Sequence, residues 1–416
     1  MTCDLLIVGA GPAGLSAAIA AAQGGRRVLV CEHLSAPGRK LLVTGGGRCN
    51  LTNTAPPDAL LAAFGRHGRF AEPALSAFPP AAIRRWFADA GVPTVAQEDG
   101  CVFPQSQRAG DVLDALLAAA SSAGARLRCG VNVRRLVVRD RAVAGVETDA
   151  GLLETPRVLL AAGGCSYPAL GSDGSGFRIA AEAGLAVAPP VPALVPLVTV
   201  DDWPRQLAGL VAERAAVRVE AKGRGPAPAI GPLLFTHRGV SGPPVLDLSG
   251  EVSGRLSVPS SRAPRVAPVL RIAWRADRDA AAWRQIFAQW RDRRGGRSLH
   301  NLLAGELPAR LAEALCRQAG AHGVAVAHAR RETLESLAEW CGDAPLAIEA
   351  TEGWDRAMVA RGGVARDEVD PRTLASRRTK GLFLAGEILD LDGPCGGYNL
   401  TWALASGRLA GGKTFA

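Results

Sequence analysis

The run Leu5-Leu6-Ile7-Val8-Gly9-Ala10-Gly11-Pro12-Ala13-Gly14 constrains this chain more than any other segment. Leu5 to Val8 is a continuous apolar stretch fit for a buried parallel strand, and Gly14 to Gln23 is a small-residue helix able to pack closely on a sheet. Arg27 to Cys31 reads as the next strand, with Glu32 at its end. Gly9 permits the tight turn, Gly11 lets backbone N–H groups approach a pyrophosphate, and Gly14 allows close helix packing. The helix N-terminus at Pro12 and Ala13 then offers partial positive charge to phosphates. Glu32 stands where a carboxylate accepts hydrogen bonds from ribose hydroxyls. The expected fold is α/β, built on a Rossmann-like dinucleotide-binding unit.

Two further glycine segments narrow the ligand. The first is Gly38-Arg39-Lys40-Leu41-Leu42-Val43-Thr44-Gly45-Gly46-Gly47-Arg48-Cys49-Asn50. Three consecutive glycines are costly in chain entropy, and such a loop lets main chain lie against a flat or anionic ligand. Arg48, Asn50 and Asn53 add donors there. The second runs Gly386-Glu387-Ile388-Leu389-Asp390-Leu391-Asp392-Gly393, then Pro394-Cys395-Gly396-Gly397-Tyr398-Asn399-Leu400. Here Glu387 is placed to bond ribityl hydroxyls. Gly396 and Gly397 precede a helix expected from about Leu400 to Ala410, whose dipole stabilises negative charge on a reduced flavin. Asp390 and Asp392 read either as ribityl or loop contacts or as turn residues. Val158 to Ala162 is another buried strand, running into Gly163-Gly164, where backbone passes close to a dinucleotide. Together the two ends of the chain point to a redox dinucleotide.

With 416 residues, two or three domains are expected. Apolar residues at 48% and charged residues at 21% describe a folded protein and exclude a disordered one. The formal charge of +9 comes mostly from arginine. It bears on association rather than fold, as a general bias of composition or as a nucleic-acid or acidic-ligand surface. Nine cysteines without C-x-x-C pairing indicate reduced thiols and a cytoplasmic setting, not a disulfide framework or zinc site. Leu5 to Ala22 is broken by glycines and Pro12 and lacks a charged leader, so neither a signal peptide nor a membrane span is expected. No metal-ligand or Ser-His-Asp spacing occurs.

Helical spacing places helices at Ala81 to Ala90, Asp111 to Ala123, Asp277 to Arg294, Pro308 to Gln318 and Thr333 to Cys341. Arg126 to Val138, which includes Val133, alternates as one strand. From Pro189 the texture changes to short β-type runs at Leu194 to Val200, Ala216 to Glu220, Leu233 to Thr236 and Val266 to Ala273. The expected organisation is a nucleotide-binding domain over 1–190 and 351–416, interrupted by a β-rich domain over 191–275 and a helical subdomain over 276–350.

The three glycine segments, with Gly163-Gly164-Cys165-Ser166-Tyr167-Pro168, Leu234-Phe235-Thr236-His237-Arg238-Gly239-Val240-Ser241-Gly242-Pro243 and Gly362-Gly363-Val364, resemble the aminoacetone-oxidase-like, BaiN/RdsA-type bacterial FAD-binding oxidoreductases. The resemblance extends over nearly the whole chain. It departs at Thr401, where the family commonly has glutamine. It implies FAD as cofactor, a discontinuous FAD domain with an inserted β-barrel-like domain and helical subdomain, and hydride transfer through flavin N5. It further implies reduction of an unsaturated small molecule or oxidation of an amine. NAD(P)H would serve as a transient co-substrate, since no second G-x-G-x-x-G unit is present. One branch of the family makes dihydrouridine in ribosomal RNA, and a non-catalytic flavin-binding regulator is a further alternative.

The resemblance implies cofactor contacts from Gly9, Gly11, Pro12, Ala13, Gly14 and Glu32, and from Arg39, Lys40, Thr44, Gly45, Gly46, Gly47 and Asn50. Val133, Ala162, Gly163 and Gly164 follow, then Gly386, Glu387, Asp392, Gly393, Gly396, Gly397, Tyr398, Asn399 and Leu400. For proton transfer three candidates stand. Cys49 is a thiol donor or, the preferred reading, a buried structural cysteine. Tyr398 donates its phenol proton or covers the flavin. His237 lines the substrate side or is a surface histidine. Arginine groups at 291–297, 330–331 and 377–380 form an RNA footprint only if they converge. A small-molecule substrate is the first expectation and RNA the second; the sequence sets no oligomeric state.

Overall fold

The computed structural model describes residues 3–221, 227–258 and 267–414. The chain forms two units, one from residues 1–191 with 357–416 and the other from 192–356.

In the first unit, Leu5–Val8 is the middle of a five-stranded parallel sheet in the order Leu382–Leu384, Val158–Leu160, Leu5–Val8, Val28–Glu32, Arg126–Cys129. Leu5, Leu6 and Ile7 have no exposed surface, as expected for a strand covered on both faces. The helix Pro12–Gln23 packs against the last helix, Tyr398–Lys413. Small residues make that contact close: a Cβ on Gly407 would lie 2.1 Å from the Ala13 carbonyl oxygen, and one on Gly411 would lie 2.3 Å from that of Ala17. Ser16 Oγ donates to the Leu404 carbonyl (2.8 Å). The first and last segments of the sequence are therefore direct neighbours.

The alternating run Arg126 to Val138 is not one strand. It divides at Gly130 (φ +71°) into Arg126–Cys129 of the parallel sheet and Val133–Arg139 of a separate antiparallel sheet with Ala142–Thr148 and Gly151–Glu154. The chain turns there because Gly130 and Val131 N–H groups donate to the Leu34 and Glu32 carbonyls (both 2.9 Å), closing around the end of the second strand. Alternation continued across the break by coincidence of pattern.

The second unit centres on a closed six-stranded antiparallel barrel, in the order Leu197–Thr199, Gly239–Ser241, Ala229–Phe235, Val211–Val219, Val269–Ala273, Ala344–Thr351. The Val266 end of one expected β run lies outside the described residues. Phe235 stacks on Trp274 at 5.5 Å, with Trp203 edge-on to Trp274, and these rings fill the core. A helix at Pro243–Ser257, absent from the sequence reading, starts with two prolines at its first positions, where a missing N–H costs nothing. The aromatic stripe expected after Asp277 is the buried face of Ala280–Arg294, capped by Asp279 accepting from Ala282 N–H (2.8 Å). No helix among the described residues is long and apolar enough to cross a membrane, and all nine cysteines are free thiols.

Candidate functional site

Gly9 carries φ +101°, and a Cβ there would lie 2.5 Å from the Ala161 carbonyl oxygen. Gly14 is tighter, its added Cβ falling 1.9 Å from the Gly9 carbonyl oxygen. Gly11 is the opposite case: extended at φ −81°, with nothing within 4 Å of an added Cβ. It therefore leaves open space beside the N-terminus of Pro12–Gln23. That helix has no side-chain cap and no acid in its first turn, so its leading N–H groups remain available to an anion.

Glu32 does more than the sequence suggested. Its Oε2 accepts from Ala10 N–H and its Oε1 from Leu34 N–H, both at 2.9 Å, so the carboxylate braces the glycine turn from below. It is 7% exposed. A cleft beside it is lined by Gly9, Cys31, His33, Val133, Ala162 and Ser175. Val133 and Ala162, far apart in sequence, meet there.

The triple-glycine loop is left-handed throughout, with φ of +57°, +68° and +87° at Gly45, Gly46 and Gly47. All three are exposed, and nothing lies within 4 Å of a Cβ added at Gly46. Arg48 stacks its guanidinium over Phe103 at 4.4 Å and donates from Nε to the Gly45 carbonyl (3.1 Å). Thr44 Oγ1 donates to the Leu41 carbonyl (2.7 Å), and Arg39 is exposed. Asn50, in the amide orientation that satisfies both atoms, donates to Thr52 O (3.2 Å) and accepts from Gly397 N–H (3.3 Å). This ties the loop to the C-terminal segment.

Cys49 is fully buried, and that burial pushes its thiol up to about 12. The folded protein thus holds the neutral thiol, and it is the absence of exposed surface, leaving no approach for a substrate, that favours the structural reading over the proton-donor one. The native state keeps a proton that the unfolded state loses near the ordinary value of 9.0, so Cys49 contributes stability below that pH. The contribution fades as pH rises through the folded value of about 12. Mildly alkaline iodoacetamide should leave Cys49 unlabelled until denaturant is added, as peptide mass spectrometry would show. Rapid native labelling would contradict the burial.

A second cluster assembles around Glu387. Lys40 Nζ donates to its Oε2 (2.7 Å), Ala360 N–H donates to its Oε1 (2.9 Å), and Ser166 Oγ lies 3.2 Å from that same oxygen. Lys40 also donates to Ser166 Oγ. A Cβ on Gly164 would meet Glu387 Oε1 at 2.7 Å, so the double glycine after Val158–Leu160 is needed for this approach. Ser166, fully buried, was not singled out as a site residue from the sequence. Its signal was the resemblance segment Gly163 to Pro168.

Gly386 (φ +77°) abuts Ala13, and its carbonyl accepts from Trp402 Nε1 (3.1 Å). Asn399 brackets the loop, accepting from Gly393 N–H (2.9 Å) and donating to the Gly393 carbonyl (2.8 Å). Gly396 and Gly397 take φ of +116° and +91° and lead into Tyr398–Lys413. This N-terminus also has no side-chain cap and no acid in its first turn; Tyr398 and Leu400 are half-buried in that turn. Asp392 is held by Arg361 through two nitrogens (2.9 and 3.1 Å), and Asp390 pairs with Arg366 (2.7 Å). Of the readings left open for these acids, the geometry favours loop contacts. Tyr398 packs against Phe64 edge-on at 6.4 Å. His237 is exposed on a turn of the second unit, shaped by Thr236 Oγ1 accepting from Gly239 N–H (3.0 Å).

Among the basic groups, two of the three meet within the second unit. Arg291 donates to the Ala329 carbonyl (2.7 Å), bringing 291–297 beside Arg330 and Arg331. In the first unit Arg378 is paired with Glu368 (2.6 Å).

Two uncapped helix N-termini and an exposed left-handed glycine loop offer donors, and the buried Glu32 carboxylate offers acceptors, in the combination a dinucleotide needs, and the residues present fit FAD. Gly9 to Ala13 would hold its pyrophosphate, Glu32 its adenosine ribose, Lys40 and Glu387 its ribityl region, and Gly396 to Asn399 its ring. The class so defined is a FAD-binding Rossmann-type oxidoreductase. The family of the HI0933-like protein Rossmann domain matches residues 3–413, and the chain belongs to it. It is 34% identical over 414 residues to a 3-dehydro-bile acid delta(4,6)-reductase of Clostridium scindens, covering 97% of each chain. It is 30% identical over 413 residues to a ribosomal RNA dihydrouridine synthase of Escherichia coli, covering 97% of this chain and 96% of the relative. In fold it is similar to a 3-ketosteroid delta1-dehydrogenase from Sterolibacterium denitrificans, with a TM-score of 0.52, 13% identity and 99% of each chain covered.

Proposed function

We propose that this flavoenzyme saturates a carbon–carbon double bond conjugated to a carbonyl in a small molecule, with NAD(P)H as electron donor. The observation that carries it is the open N-terminus of Tyr398–Lys413 behind two left-handed glycines, which sets positive potential where a reduced ring gathers negative charge. Bound FAD supplies the two-electron redox chemistry. The chain's own residues hold the cofactor, and Tyr398 is the phenol nearest this helix start able to deliver a proton. The two relatives named above bear names that describe saturation of a double bond, which favours reduction over amine oxidation. Anaerobic mixing with NADPH or NADH should bleach the flavin, and a conjugated enone should restore its colour with formation of the saturated ketone. Bleaching with no reoxidation by any enone, but rapid reoxidation coupled to an amine product, would overturn this reading.

The second reading is an RNA substrate. It is favoured by the junction of 291–297 with 330–331: Arg293, Arg294, Arg297, Arg330 and Arg331 are exposed and form no ion pair with described residues. Unpaired arginines in such density are what a phosphate backbone attracts. Loss of one ribosomal dihydrouridine in a deletion strain, restored by this gene but not by Gly46→Asp, would establish it in place of the first.

A further inference from the structure

Outside the residues assigned to the cofactor, the first unit contains a cavity of about 460 Å³. Strand Thr52–Asn53, helix Pro57–Ala62, the end of Gly68–Ala77 and the start of Pro80–Asp89 line it, and it is partly open to solvent. Its walls are largely apolar, with Leu60, Leu61, Leu75 and Pro79 prominent, and its size lies in the range that holds small organic ligands. Asn53, named above as a donor beside the first glycine segment, lines it; the glycines of the three segments do not.

One charged group faces this cavity. Arg84 is half-buried, and its Nε donates to Thr94 Oγ1 (3.1 Å), which fixes the side chain. It forms no ion pair with any described residue, whereas many arginines elsewhere in the chain reach a carboxylate. Its planar fork therefore retains donors matched to a carboxylate. Asn53, Thr54 and Ser76 supply the remaining polar wall, and Asn53 donates to the Gly396 carbonyl (2.9 Å), so the cavity adjoins the C-terminal glycine loop.

We infer that this cavity is a second ligand site, for an amphipathic organic acid whose apolar body lies against Leu60 and Leu75 and whose carboxylate pairs with Arg84. The chemistry follows from a largely apolar, partly open cleft with a single unneutralised cation. The inference concerns binding, so it stands apart from the choice of redox substrate.

The test is isothermal titration calorimetry on the purified full-length protein, with dodecanoate and dodecanol as probes below their aggregation limits. Dodecanoate should bind saturably and equimolarly, and dodecanol at least about tenfold more weakly, the scale of one charge-assisted hydrogen bond. Arg84→Gln should erase the difference between the two probes. Leu75→Trp, which fills the space, should abolish binding of both while the flavin spectrum and content stay unchanged. Should Leu75→Trp misfold, Arg84→Gln decides alone. No saturable dodecanoate binding, equal affinity for acid and alcohol, or dodecanoate affinity indifferent to Arg84→Gln would each overturn the site.

Discussion

Gly14→Ala should yield a protein without flavin and with a lowered melting temperature, whereas Gly11→Ala should lose flavin affinity alone. The two glycines share a motif but do different physical work. A methyl group at Gly14 would sit 1.9 Å from the Gly9 carbonyl oxygen and 3.4 Å from Ile7 Cγ2, with backbone on the critical side. Nothing there can swing aside, so the helix must lift from the turn, at a cost of about 3 kcal/mol by analogy with overpacked cores. That lift moves the leading N–H groups away from the pyrophosphate position, and binding and stability fall together. At Gly11 the added methyl meets no protein atom within 4 Å, and φ of −81° suits any residue. Calorimetry of the apo forms beside flavin titration separates the two cases. Equal loss of apo stability in both variants would contradict this division.

Glu32→Ala should weaken FAD binding by roughly ten- to a hundredfold, the scale set by loss of a charge-assisted pair to ribose. The structure adds an effect that the motif alone does not contain. Removing the carboxylate strands the N–H groups of Ala10 and Leu34, each costing about 1–3 kcal/mol where burial excludes water. The apo protein should therefore melt earlier as well. Glu32→Gln keeps one acceptor oxygen and should fall between the two. Unchanged affinity in Glu32→Ala, measured by flavin fluorescence, would remove Glu32 from the site.

What could be read from the chain beforehand was whatever local chemistry dictates. The strand Leu5–Val8, the Glu32 position and the buried stripe of Trp283, Phe287 and Trp290 follow from short-range pattern, and the structure has them. Gly396 and Gly397 before a helix follow from the same rules, although the helix begins at Tyr398 rather than near Leu400. Partners set by tertiary folding were not legible. The carboxylate of Glu387 meets Lys40, Ser166 and Ala360, which come from three distant segments, and no spacing rule links them. The Arg361 partner of Asp392 was equally unreadable, because turn residues and ligand contacts look alike in sequence. The helix Pro243–Ser257 was not read from the sequence; its two leading prolines suit a first helical turn.

That both ends of the chain build one FAD site is tested most directly by the cofactor released when the purified protein is heat-denatured, identified by chromatography and counted against protein. The expected result is equimolar FAD released without a covalent link; no histidine lies in the glycine segments that would hold the ring, so a histidyl link has no attachment point there. That FAD should be lost both in Gly14→Ala, at the start of the chain, and in Gly397→Ala, where an added Cβ at φ +91° would fall 2.3 Å from the Thr52 carbonyl oxygen. A colourless protein that cannot be reconstituted with FAD, or full FAD occupancy in the folded Gly397→Ala variant, would contradict it.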